Sequence, residues 1–300
     1  MDESWVEPQF LDRLRVLFLR LKKRKRLRRK GMQISPSLGA TKEFKDYRPY
    51  STNDDFRSVD WRLYARLDRL FVKLYEEHQE FHVHVVLDTS ASMAEPYEEK
   101  RNCGLQMATA LAYLGLVGHH RVSIYTMEER SIVERLSSLQ GAGSIKRVVE
   151  FLRRLEFTGG TQLRPCVRSF RPTRQRYGVI FLLSDLLGRE VGAAAEALRY
   201  CSSWPGETHV IHLLHPQEKD PQVEGELQLR DVERGDEVRL WLTSFDLERY
   251  RASVAKYLQE VEVACQSRQV DYLHWDTEAS FDDTFLELLD RGSVLGGDGS

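Results

Sequence analysis

Two apolar runs that each end in aspartate constrain this chain more than any other feature. The first is His82-Val-His-Val-Val-Leu-Asp88, and the second, Tyr177-Gly-Val-Ile-Phe-Leu-Leu-Ser-Asp185, repeats its pattern. Runs this short and this apolar fit strands buried on both faces, which belong to parallel sheets covered by helices. The neighbouring segments agree. Helical spacing is visible near residues 98–118, 144–155, 162–170 and 190–202, with Arg121–Met127 and Glu207–Pro216 as further apolar strands between them. Ser131–Leu136 alternates like an edge strand. Strands and helices alternating at this length imply right-handed crossovers. The expected fold class is therefore α/β, with a doubly wound, mostly parallel sheet.

The rhythm breaks after Pro216. Residues 223–242 read as two alternating strands about a Gly235-Asp236 turn, a hairpin signal. A long amphipathic helix from Asp246 to Ser267, the strand Val270–Asp276 and a helix from Phe281 to Leu289 follow. The organisation expected is a basic helical arm over 1–30, a segment of its own character over 31–80, the main domain over 81–292 with the hairpin inserted, and a disordered tail over 293–300. In the arm, Phe10, Leu11, Leu14, Leu17, Phe18 and Leu21 have helical spacing, and Gly31 ends it. Residues 31–80 are rich in Asp, Arg, Tyr and Ser, with turn signals at Pro36, Gly39, Pro49 and Asn53–Asp55 and a strand near their end.

In an open parallel sheet, sites form outside the carboxyl ends of the strands. Asp88 and Asp185 both stand at that edge. Asp88 opens the sequence Asp88-Thr-Ser90-Ala-Ser92, and Thr158-Gly-Gly-Thr161 lies between the two aspartates along the chain. Small hydroxyls on a tight loop and two carboxylates suit a hard cation. Mg²⁺ takes oxygen ligands in octahedral geometry and keeps waters, and Mn²⁺ or Ca²⁺ take the same donor types. Asp-x-Ser-x-Ser alone is common, and Ser and Asp after a strand also cap helices. Three elements in order, each at the right end of the right kind of strand, favour the metal reading.

The order Asp-x-Ser-x-Ser, Gly-Gly-Thr, apolar-strand-Asp resembles the metal-ion-dependent adhesion site of von Willebrand factor A domains. That resemblance implies that Ser90 and Ser92 ligate directly, Thr161 directly or through water, and Asp88 and Asp185 mainly through water. It also implies one open position, which a partner's carboxylate fills. A wider resemblance covers nearly the whole chain. Gly31, Ser37, Glu43-Phe44, Arg48, Tyr50, Asp54-Asp55, Arg57, Asp60-Trp61, Ala65-Arg66 and Phe71-Val-Lys73 look like the signature that precedes this site in the bacterial domain-of-unknown-function family 58. The usual Gly-x-Gly-x-Glu-Phe is here Gly39-Ala-Thr-Lys-Glu43-Phe44, so the chain departs from that signature at Thr41, and again at Asn53, where a glycine is usual. Asn tolerates a left-handed backbone, so the turn survives this exchange. Members are often encoded beside MoxR-type AAA+ ATPases, which implies a partner or adaptor role with such an ATPase.

The net charge of −2 conceals an asymmetry. Residues 20–30 hold nine basic residues and no acid; taking nine from 44 leaves 35 basic against 46 acidic residues elsewhere. The arm admits three readings: a solvated or protein-facing helix, a peripheral membrane contact, or a nucleic-acid contact. No recognition motif or aromatic interleaving accompanies it, so no specific nucleic acid is expected. No run approaches the roughly 20 apolar residues that span a bilayer, and the first residues do not read as a signal peptide. A cytoplasmic location, with peripheral contact to the inner membrane as an option, is the expectation. Cys103, Cys166, Cys201 and Cys265 lack CxxC spacing and read as reduced core residues. No nucleophile elbow, Walker A loop or His-Glu-x-x-His motif is present. Expected, then, is a metal-dependent protein-binding module rather than an enzyme. The alternative is a metal-dependent phosphoesterase or nuclease, which would need a general base.

Overall fold

A computed structural model describes residues 9–17, 41–52, 54–78, 81–172, 178–188 and 192–291. The basic arm over 20–30, Gly31, Ser37, Gly39, Asn53 and the tail lie outside them. Two units emerge: Arg28–Glu80, and Met1–Leu27 together with Phe81–Ser300.

In the smaller unit, β1 (Thr41–Pro49) pairs antiparallel with β2 (Phe71–His78), with a register shift between Phe44 and Asp46. Between them runs the short helix α2 (Trp61–Leu67). Turn signals dominate this stretch in the sequence, and β1 is not foreshadowed there. Asp60 organises the unit. Its buried carboxylate caps α2 by accepting from the N–H groups of Arg62 and Leu63, and it also accepts from the Tyr47 hydroxyl at 2.9 Å and the Lys73 ammonium at 3.0 Å. Arg48 pairs with Asp54 at 2.5 Å. The charged residues therefore act here as pins. Phe56, Trp61 and Tyr64 form an edge-to-face aromatic row that stays exposed.

The larger unit is built on a six-stranded sheet. Its strands are β3 (His82–Asp88), β4 (Arg121–Glu128), β5 (Ser131–Leu139), β6 (Gly178–Ser184), β7 (Glu207–Leu214) and β10 (Asp271–Asp276), in the order β10-β7-β6-β3-β4-β5. All pairings are parallel except β4 with β5, so β5 is the edge strand that its alternation foretold, and it runs antiparallel to its neighbour. The expected doubly wound, mostly parallel fold is what forms. Every residue of β3 and of β6 is buried. The strands β8 (Gly225–Arg230) and β9 (Glu237–Leu242) form the hairpin, but their connection spans 231–236 rather than a two-residue turn. Asp231 holds that wider loop by accepting from the N–H groups of Glu233 and Arg234, and Gly235 supplies a left-handed φ of 75°.

Helices cover both faces. On one lies α3 (Glu98–Val117), whose buried side chains include Leu105, Met107, Leu111 and Leu114; α4 (Ile145–Arg153) and α9 (Phe281–Arg291) share that core. The helix over residues 9–17, α1, inserts Phe10, Leu14 and Leu17 into the same core. Contact between α3 and the sheet is close at Gly115, where an added Cβ would stand 2.7 Å from Val122 and 3.1 Å from Val83. The opposite face is covered by α5 (Leu163–Ser169), α6 (Ala193–Cys201) and α8 (Ser244–Gln266), packed through Val167, Leu198, Val261 and Cys265. A single turn, α7 (Pro216–Lys219), follows β7. All four cysteines are free and buried. Among the described residues, no helix is long and apolar enough to cross a membrane.

Candidate metal centre

The chain runs from β3 to β4 on one side, then returns past β3 to place β6 on the other. That reversal opens a crevice at the carboxyl ends of β3 and β6, the place where open α/β sheets bind ligands. β3 ends in Asp88, and Asp185 immediately follows β6.

All five residues singled out in the sequence are brought to this crevice, and all are buried: Asp88, Ser90, Ser92, Thr161 and Asp185. Asp88 is the hub. Its Oδ1 accepts from the Ser90 N–H and the Thr161 hydroxyl, both at 3.0 Å, and its Oδ2 accepts from the Ser184 hydroxyl at 2.6 Å. The Ser90 and Ser92 Oγ atoms lie 3.0 Å apart. Backbone contacts lock the loops. Ala91 donates its N–H to the Gly159 carbonyl at 2.9 Å, and Thr158 donates to the Thr89 carbonyl at 3.0 Å. Gly159 needs its φ of 71°, a region in which a side chain is strained. Thr89 ties the first loop to β4 by donating its hydroxyl to the Met127 carbonyl.

Asp185 is committed on both oxygens. Oδ1 accepts from the Leu187 N–H at 3.1 Å, and Oδ2 accepts from the Lys100 ammonium, also at 3.1 Å. Its carbonyl lies 2.8 Å from His212 Nε2. A carbonyl only accepts, so Nε2 carries the proton and Nδ1 accepts from the Tyr272 hydroxyl, 2.8 Å away. Burial, with His274 beside it, pushes His212 down to about 3, so the ring is neutral.

Electrostatics sharpen the picture. Two carboxylates buried together repel and are poorly solvated. Asp88 accordingly rises from 3.8 to about 6, through burial first and the Asp185 charge second. Lys100 is fully buried, its Nζ 3.1 Å from Asp185 and 2.5 Å from Glu218. Burial lowers its affinity for a proton, but the two carboxylates more than reverse that, and it stays charged. Lys100 pairs with Asp185 and Glu218, while the donors to Asp88 are the Ser90 N–H and the Thr161 and Ser184 hydroxyls, none of them a cation. Carboxylates outnumber ammonium groups here, an imbalance that a bound cation would relieve. Converging hydroxyls, carboxylates and this imbalance fit a hard divalent cation.

Sequence reasoning missed Lys100, Ser184 and Glu218. Ser184 precedes Asp185 in the second apolar run and was legible as a hydroxyl at the same sheet edge. Lys100 reads as an ordinary first-turn residue of α3, and only the fold brings Glu218 to it. A second acid–histidine group, Glu207, His209 and Asp271, lies at the opposite ends of β7 and β10. The two nitrogens of buried His209 face different acids, Nδ1 at 3.2 Å from Asp271 and Nε2 at 3.4 Å from Glu207. His209 Nδ1 is the edge that faces across from β7 to Asp271 of β10.

Residues 46–260 match the model of a family described as "Protein of unknown function DUF58". The chain belongs to this family. A DUF58 chain of this kind is similar to an uncharacterized protein of Mycobacterium tuberculosis, 23% identical over 241 residues, which are 76% of this chain and 73% of that protein. Among solved structures, BatB from Bacteroides thetaiotaomicron is 19% identical, with a TM-score of 0.37, over 70% of this chain and 99% of its own. The SpRpn10 VWA domain is 9% identical, with a TM-score of 0.39, over 74% and 100%. Proximal thread matrix protein 1 from the mussel byssus, solved with a zinc-occupied MIDAS motif, is 12% identical, with a TM-score of 0.37, over 70% and 47%.

Proposed function

We propose that this DUF58 protein is a metal-dependent protein-binding module. The observation that carries the reading is the pair of buried carboxylates, Asp88 and Asp185, at the ends of β3 and β6, beside hydroxyls held in place by the Asp88 network. Ser90, Ser92 and Thr161 would hold a Mg²⁺ ion through their hydroxyl oxygens, with Asp88 and Asp185 in supporting positions. Mn²⁺ and Ca²⁺ suit the same donors. The bound ion would supply an electrophilic position for a carboxylate of a partner protein. Around it, Thr158, Gly159 and Leu187 are exposed and form a rim for contact.

Exposed aromatics support protein binding. Trp241 and Phe245 are 70% and 71% exposed, and Phe56 and Trp61 each 52%. Aromatic side chains are enriched in protein interfaces. A MoxR-type AAA+ ATPase is the partner class we propose, with the nine basic residues of 20–30 as the proposed peripheral contact with anionic lipid and the cytoplasm as the proposed compartment. Binding is favoured over hydrolysis, because the side chains that contact the two carboxylates are hydroxyls and an ammonium already paired with two carboxylates, and the neighbouring His212 is held by the Asp185 carbonyl and the Tyr272 hydroxyl.

Water-proton relaxation with Mn²⁺ tests this reading. Bound Mn²⁺ should enhance relaxation through its exchangeable water, and a glutamate-containing peptide should lower the enhancement by displacing that water. Enhancement unaffected by Ser90→Ala with Ser92→Ala would contradict the site, and insensitivity to every carboxylate would contradict the mode of binding. Phosphoesterase turnover with Mg²⁺ or Mn²⁺, abolished by Asp88→Ala, would establish the enzymatic alternative instead.

A further inference from the structure

The buried lysine beside the crevice has a role that hydroxyls and carboxylates do not supply. Lys100 sits in the first turn of α3 with none of its side chain exposed. Its two carboxylate contacts come from different places: Asp185 follows β6, while Glu218 belongs to α7, after β7. Glu218 is itself fixed, since its Oε2 accepts from the His215 N–H at 2.9 Å in the capping box of α7. His215 stacks on Tyr97, the residue that caps α3, with ring centroids 3.8 Å apart. Tyr250 of α8 donates its hydroxyl to the Glu218 carbonyl at 2.6 Å, and Arg251 pairs with Asp220. One ammonium thus joins the candidate metal centre to α7, and through α7 to the start of α8, which follows the hairpin.

Removing a partner from a buried ion pair strands an uncompensated charge, so such a lysine is costly unless the rest of the cluster needs it. Here Asp185 Oδ2 is held by the ammonium and Oδ1 by the Leu187 N–H, which keeps this carboxylate from turning freely toward a cation. The ammonium also sets the charge of the cluster: three carboxylates and one Lys100 leave two negative charges.

We infer that Lys100 is the positioning residue that sets the charge selectivity of the metal centre, holding Asp185 back from direct ligation and matching the cluster to a divalent rather than a trivalent ion. The inference rests on the metal-binding reading above. Lys100→Met leaves three negative charges and should favour trivalent ions. Glu218→Gln, at a partly exposed position, leaves one negative charge and should do the reverse. A change of one unit charge in the cluster should alter the preference for a trivalent over a divalent ion by about tenfold.

The experiment is titration of Tb³⁺, by luminescence, and of Mg²⁺, by calorimetry, into the full chain. Signal that remains in Ser90→Ala with Ser92→Ala is subtracted as surface binding. The ratio of Tb³⁺ to Mg²⁺ affinity should rise about tenfold in Lys100→Met and fall by a similar factor in Glu218→Gln. If Lys100→Met does not fold, Glu218→Gln carries the test alone. A purely structural lysine would lower the melting temperature while leaving the ratio within about twofold of wild type, and that result overturns the inference. If the wild type binds neither ion above the subtracted signal, the metal-binding reading fails and the inference falls with it. That failure is visible in the wild type alone, so the two cannot be confused.

Discussion

At the scale of single residues, the crevice is a set of side chains that serve the fold and the proposed ion together. Asp88 accepts three hydrogen bonds from three different segments, so Asp88→Ala removes a structural hub as well as a charge. Ser90 and Ser92 are the cleaner probes. Their Oγ atoms pair with each other, so replacing both leaves neither hydroxyl stranded, and Asp88 keeps its bonds from the Ser90 N–H, Thr161 and Ser184. Ser90→Ala with Ser92→Ala should change the metal-free melting temperature slightly and remove the stabilisation by Mg²⁺, which at a concentration of 100 Kd amounts to about 2.7 kcal/mol. Differential scanning calorimetry with and without Mg²⁺ reads both effects.

The pH dependence has two parts. Asp88 is raised from 3.8 to about 6, so the fold resists its ionisation, and metal-free stability due to this group is lost as pH climbs through that interval. A cation favours the ionised form, so Mg²⁺ affinity should weaken as pH falls below about 6. Titration calorimetry across pH 5 to about 7 checks this. His84 and His212 are both lowered to about 3, chiefly by burial. Each stays neutral in the fold but gains a proton when unfolded below 6.5, so each costs about 1.4 kcal/mol per pH unit as the solution is acidified from 6.5 toward 3. His84→Gln should flatten that slope in denaturant melts, and an unchanged slope would contradict the assignment.

At the scale of elements, what could be read depended on whether the pattern was local. β3 and β6 were legible because both faces are buried and their sequences are continuous apolar runs. Likewise α3 was legible from spacing, and β5 from its alternation. β1 was hidden, because a charged strand is created by its partner and not by its own periodicity. The hairpin was found but its turn was not, since Asp231, four residues before Gly235, sets the loop through side-chain bonds. Gly115 is a test at this scale. Alanine is the better helix former, yet its Cβ would meet Val122 at 2.7 Å. Gly115→Ala should therefore destabilise by about 1–3 kcal/mol in urea melts, and a stabilised variant would show that α3 does not approach the sheet this closely.

At the scale of the molecule, the main unit draws its core from both ends of the chain. α1 contributes Phe10, Leu14 and Leu17 to the core shared by α3, α4 and α9. Leu14 is fully buried, so Leu14→Ala should cost about 2–5 kcal/mol, read as a lower urea midpoint at constant slope. No change would show that α1 is dispensable to the core. The gathering of Asp88, Ser90, Ser92, Thr161 and Asp185 at one sheet edge was legible because short motifs at strand ends can be placed without knowledge of the fold. Lys100 and Glu218 were not, because their ion pair spans more than a hundred positions of sequence.

The central claim is that the crevice between β3 and β6 binds a divalent cation. Calorimetric titration of Mg²⁺ into metal-free protein near neutral pH tests it most directly. Saturable binding at one site per chain is predicted for the wild type and none for Ser90→Ala with Ser92→Ala, while equal binding by the two proteins, or none by the wild type, would contradict the claim.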